Sequence, residues 1–118
     1  MGKNLHELVG QLRNEINGLG FDARYYFSVK SDNEFYGIIF VGEKKDEREF
    51  ISFLLSKIDL TGYGGCLNAD YETQGPMQAN ALVIHPEKHL TKGELEILLV
   101  RLVNEFLHES KNWKMQNR

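Results

Sequence analysis

The chain has 118 residues, 42% of them apolar and 26% charged, with a net charge of −3. That length suits one compact domain spanning residues 1–118 and leaves no room for a second core, and the composition is globular rather than disordered. The acidic balance argues against a nucleic-acid binder, and no uninterrupted apolar run approaches the ~18 residues of a membrane span, so neither nucleic acid nor membrane is an expected partner.

The single cysteine, Cys66, excludes an internal disulfide and fits a reducing, cytoplasmic compartment. The start leads directly into an amphipathic pattern without a signal-peptide core. From about Lys3 to Asn17, Leu5, Leu8, Val9, Leu12 and Ile16 recur at helical steps and predict a helix, with Asn4 and Glu7 as a capping pair. Gly18 and Gly20 are natural stops.

Phe21–Lys30 and Phe35–Val41 read as a hairpin across the turn residues Ser31 to Glu34. A turn centred between Asp32 and Asn33 sets Val29 against Tyr36, Phe27 against Ile38 and Tyr25 against Phe40, giving one wholly apolar and aromatic face. The other face then mixes Arg24, Tyr26 and Lys30 with Phe35 and Ile39. Asp46, with Glu49 three residues on, is a candidate cap for a second helix, whose broad apolar face runs from Phe50 to Ile58. Thr61 to Gly65 reads as a flexible loop carrying Tyr63.

Cys66–Thr73 and Met77–His85 read as a second hairpin turning about Gly75. That register sets Leu67 against Val83 and Ala69 against Ala81, and leaves Asp70 and Glu72 on a polar face. Thr91 and Glu94 make a capping box opening the longest helix, whose stripe runs from Leu95 to Leu107. A basic tail over about 111–118 is expected to fray. The expected fold is therefore α+β, in the order α-ββ-α-ββ-α, with antiparallel hairpins forming a sheet packed by three helices. The order resembles that of the small secretion chaperones; no motif residue accompanies the likeness, and no functional residue is carried over from it.

Candidates for chemistry are sparse. Cys66 has no histidine placed beside it, because the expected register sets it against Ile84 with His85 on the other face, so an inert, buried thiol is the preferred reading. His85 and His89 are separated by Pro86, which opposes a chelating helical pair, and no metal or cofactor is expected. Asp70 and Glu72 share a strand face, as acid–base pairs do, but a solvated hairpin looks the same. The glycine loop lacks the lysine and hydroxyl of a nucleotide loop, although Tyr63 on it is a candidate lid over a small ligand.

No spaced catalytic set emerges. Tyrosine and arginine beside apolar residues is the composition of a binding surface. The expected function is stoichiometric binding to a protein partner by an inhibitor, adaptor or chaperone type of protein, a phage or mobile element being one fitting source. The candidate binding residues are Arg24, Tyr26, Lys30, Phe35, Ile39, Tyr63, Asp70 and Glu72. A small-ligand or nucleotide-sequestering module is the alternative, and an enzyme using Cys66 or the Asp70/Glu72 pair comes last. A homodimer is expected, because the second helix, the first hairpin and Ile97 and Val100 offer more apolar surface than one small core needs.

Overall fold

The α-ββ-α-ββ-α order is that of the computed structural model, which describes residues 4–29, 35–76 and 78–116, with positions 35, 36, 38 and 40 described by their backbone alone. Lys30 and the turn after it lie outside the described residues. Helix α1 spans Leu5–Asn17. The Asn4 side chain accepts the Glu7 backbone N–H at 2.9 Å, which satisfies one N–H left unpaired at the helix start, and its amide donates to the Glu7 carboxylate at 3.0 Å, which holds the cap in place.

Strands β1 (Arg24–Val29), β2 (Phe35–Phe40), β3 (Leu67–Gln74) and β4 (Ala79–Pro86) form one antiparallel sheet in the order β1-β2-β4-β3. Both hairpin registers differ from the sequence expectation. In the first, Tyr25 pairs with Ile39, Phe27 with Gly37 and Val29 with Phe35, one residue off the expected pairing. Strand β2 is apolar at almost every position, so its own pattern does not choose a face. Its other neighbour does: Gly37 pairs with Ile84 and Ile39 with Leu82, both buried.

In the second hairpin Gln74 pairs with Ala79, so the strands do not turn about Gly75 alone. Gly75 and Gln78 have positive φ, and the Gln78 N–H donates to the Gly75 carbonyl at 3.1 Å. Pairing is displaced by three residues, so Leu67 meets Pro86, Ala69 meets Ile84 and Tyr71 meets Leu82. An odd displacement exchanges the faces of β4. The larger Leu82 and Ile84 enter the main core, and Ala81 and Val83 form a separate small cluster on the opposite side. Burying leucine and isoleucine removes more apolar area from water than burying alanine and valine.

Helix α2 spans Lys45–Lys57. Its start is held by the Lys44 N–H donating to the Glu47 carboxylate at 3.3 Å, not by Asp46 and Glu49. Phe50, Ile51 and Leu54 are fully buried. A short 3-10 helix, Leu60–Tyr63, replaces the expected flexible loop. Helix α3 spans Lys92–Gln116 and opens on the expected box: the Thr91 N–H donates to Glu94, and the Glu94 N–H donates to the Thr91 hydroxyl. The helix continues past Lys111. It stays helical through Gln116 because Trp113 sets its ring edge-on to Phe50 and Phe53, at 5.5 and 5.3 Å between centroids.

The helices place their buried residues in one core with Ile39, Val41, Leu67, Ala69, Leu82 and Ile84. The surplus apolar surface expected to require a second copy is therefore largely covered within the chain. Ile39 and Val41 are 1% exposed, whereas Ile97 stands 72% exposed on the outer side of α3.

Candidate functional site

All three helices bury their apolar faces against the same side of the sheet. The other side has no helix over it among the described residues, and its chemistry follows from strand alternation. Strand β1 contributes Arg24, Tyr26 and Ser28; β4 contributes Ala81, Val83 and His85; β3 contributes Asn68, Asp70 and Glu72. Positions 36, 38 and 40 of β2, expected in the core, fall on this side by register, opposite Ser28, Tyr26 and Arg24.

The small side chains of β4 form the floor: Ala81 is fully buried and Val83 is 7% exposed. Along one edge Tyr26 is 61% exposed. Arg24 reaches Asp22 at 3.6 Å, an ion pair so solvated that it contributes little. Along the other edge His85 Nε2 lies 3.7 Å from Asp70 Oδ2 and 3.5 Å from Glu72 Oε2, and Gln74 donates to Glu72 at 3.2 Å. The face is thus basic and aromatic at β1, apolar in the middle and acidic at β3. A shallow cleft of about 380 Å³ crosses one end, lined by Arg24, Tyr26, Glu43, Gln74, Pro76 and Ala79.

Of the residues singled out by sequence, Arg24, Tyr26, Asp70 and Glu72 come together on this face. Ile39 does not, because the register turns it into the helix-covered core. Phe35 pairs with Val29, on the Ile39 side of the strand by register. Lys30 lies outside the described residues.

Tyr63 is no lid. It is 2% exposed, its hydroxyl donates to the Glu105 carboxylate, and the Arg101 guanidinium lies 4.4 Å above its ring while donating to the Gly62 carbonyl at 3.1 Å. Burial, then the hydrogen bond to Glu105 and its negative charge, push the Tyr63 phenol far above its ordinary range, and Arg101 opposes this only weakly. The phenol is a fixed donor that ties the 3-10 helix to α3.

Cys66 sits opposite Glu87, not Ile84, with the Glu87 N–H donating to its carbonyl at 2.8 Å. Its Sγ lies 4.0 Å from the Gly64 carbonyl. His85 is engaged with Asp70 and Glu72. Among the described residues no cluster of three or more His, Cys, Asp or Glu side chains is arranged to hold a metal ion.

The sequence reading missed Glu47. It is 3% exposed, and its Oε2 is buried without a hydrogen-bond partner. Gly42, at φ +92°, permits this: a Cβ there would collide with the carboxylate. Burial raises the Glu47 pKa, outweighing the lowering by the Lys44 N–H, the Lys44 charge and the Asp22 N–H, and the Asp22 charge adds slightly to the rise. The only forward signal was an acid three residues after a possible cap, a pattern Glu49 shares.

No protein-family model matches this chain, and no curated protein or solved structure shows a match to it. Among the described residues no helix is long and apolar enough to cross a membrane.

Proposed function

We propose that this protein acts without catalysis, by stoichiometric binding of a protein partner through the uncovered face of its sheet, in the cytoplasm, as an inhibitor, adaptor or chaperone does. The observation that carries this reading is the composition of that face: exposed Tyr26 and Arg24 at one edge, acids at the other, and a low apolar floor of Ala81 and Val83 between them. Tyrosine and arginine are enriched in protein–protein interfaces and among the residues that carry their affinity.

The test is affinity capture from cells with three baits: wild type, Tyr26→Glu, and Ile97→Lys on the outer side of α3. A partner held near one-to-one by wild type and Ile97→Lys, and lost by Tyr26→Glu, supports the reading. A partner captured equally by all three overturns it.

The cleft beside Arg24, Tyr26 and Gln74 favours one second reading, a module that sequesters a small anionic or aromatic ligand. Native mass spectrometry of freshly purified protein separates the two. A bound small mass lost on Arg24→Ala supports the ligand.

A further inference from the structure

We infer that the open sheet face is self-complementary and that its occupant is a second copy of this chain, related by a two-fold axis running parallel to the strands between β2 and β4. The inference rests on reading that face as a protein-binding surface and names what fills it.

Register aligns Arg24, Phe40, Ala81 and Glu72 across the sheet, and aligns Tyr26, Ile38, Val83 and Asp70 in the next row of the same face. Each row therefore carries a donor side chain on β1 and a carboxylate on β3. The two edges lie three strand spacings apart, roughly 14 Å. A two-fold axis along the strands exchanges left and right within each row and keeps its height. It lays Arg24 of one copy over Glu72 of the other, and the Tyr26 hydroxyl over Asp70, twice each. Strand β4 of one copy then lies over β2 of the other, so Ala81 and Val83 sit opposite positions 40 and 38 of the second copy at the centre. Packed sheets cross at about 30°, which displaces an edge strand about 7 Å from the axis by about 4 Å, within the reach of an arginine. The alternative axis, perpendicular to the strands, sets Arg24 over β1 and acid over β3, like against like, and is disfavoured.

The ionic partners each side now holds do not forbid the exchange. Arg24 and Asp22 are 76% and 77% exposed, and the carboxylates of Asp70 and Glu72 are 53% and 41% exposed. The face measures roughly 20 Å by 20 Å, from four strands of about six residues. That footprint is at the low end for a specific interface, so the expected dissociation constant is micromolar.

Sedimentation of the full chain from low to high micromolar concentration, with three samples, tests this. Wild type should move from the 13.6 kDa chain mass toward twice that value. Arg24→Glu alone, and Asp70→Arg/Glu72→Arg alone, should each weaken association at least about tenfold, since each sets like charges together at both ends of the interface. Mixing the two variants should restore a heterodimer of near wild-type affinity, because every Arg–acid contact is then rebuilt with one sign or the other. The substituted side chains are exposed, and circular dichroism confirms that each variant is folded. A wild type that stays monomeric, a dimer indifferent to either variant, or a mixture that fails to reassociate overturns the inference. The capture experiment above fails or succeeds independently: a monomer that still loses its partner on Tyr26→Glu removes the second copy and leaves the binding reading standing.

Discussion

At the residue scale the clearest conflict is Glu47. Its carboxylate accepts the Lys44 N–H at the start of α2, yet its second oxygen is buried against Gly42 without a well-formed hydrogen bond, and the Asp22 N–H offsets that burial only in part. Desolvation wins and the folded-state pKa is raised, so the charged form costs stability at neutral pH. The linkage runs opposite to that of a salt-bridged acid. The penalty is absent below the unfolded value of about 4.3 and grows as pH rises through the higher folded value. Glu47→Gln keeps an acceptor for Lys44 and removes the charge. Its stability relative to wild type should therefore improve between pH 4 and pH 7. Urea unfolding of both proteins at the two pH values measures this, and a difference independent of pH would show that the charge carries no penalty.

At the element scale, legibility tracked how many solutions a pattern allows. Helix α3 was readable because Thr91 and Glu94 reciprocate and the apolar stripe after them has one period. Helix α2 was readable in its body but not at its cap, since Asp46, Glu47 and Glu49 all fall near its start. The strands were found but both registers were not. Strand β2 is apolar on both sides, and the second hairpin's turn depends on a left-handed Gln78 that composition does not announce. The same parity decided the site. Arg24, Tyr26, Asp70 and Glu72 were named from sequence and share the open face, whereas Ile39 was drawn to the wrong side with the register. The end of α3 is hard to place from sequence because its last turn is polar apart from Trp113 and Met115, and the contact that holds it, Trp113 on Phe50 and Phe53, is a long-range one. Trp113→Ala should accordingly lower unfolding free energy by about 2–3 kcal/mol, at the modest end for a buried aromatic because the ring is half-buried. Urea titration checks it. An unchanged midpoint would return the tail to the frayed state expected of its sequence.

At the scale of the whole molecule, three helices on one side of a four-stranded sheet leave the other side to meet something else. If that something is a second copy, association binds the folded chain and not the unfolded one, so thermal stability must depend on concentration. Well above the dissociation constant, each tenfold rise in concentration adds about 1.4 kcal/mol per dimer, or about 0.7 kcal/mol per chain. For a chain of this length the unfolding entropy is roughly 0.25 kcal/mol/K, so the midpoint should climb about 3 °C per tenfold. The Arg24–Glu72 contacts are solvated at the rim, where added salt screens them, while the Ala81 and Val83 centre is indifferent to it. Raising salt should therefore shift the onset of this climb to higher concentration without removing it. Arg24→Glu should flatten it over the same range. Differential scanning calorimetry across a hundredfold dilution series reads all three effects, and a midpoint that ignores concentration in wild type would mean that the open face does not bind its own copy.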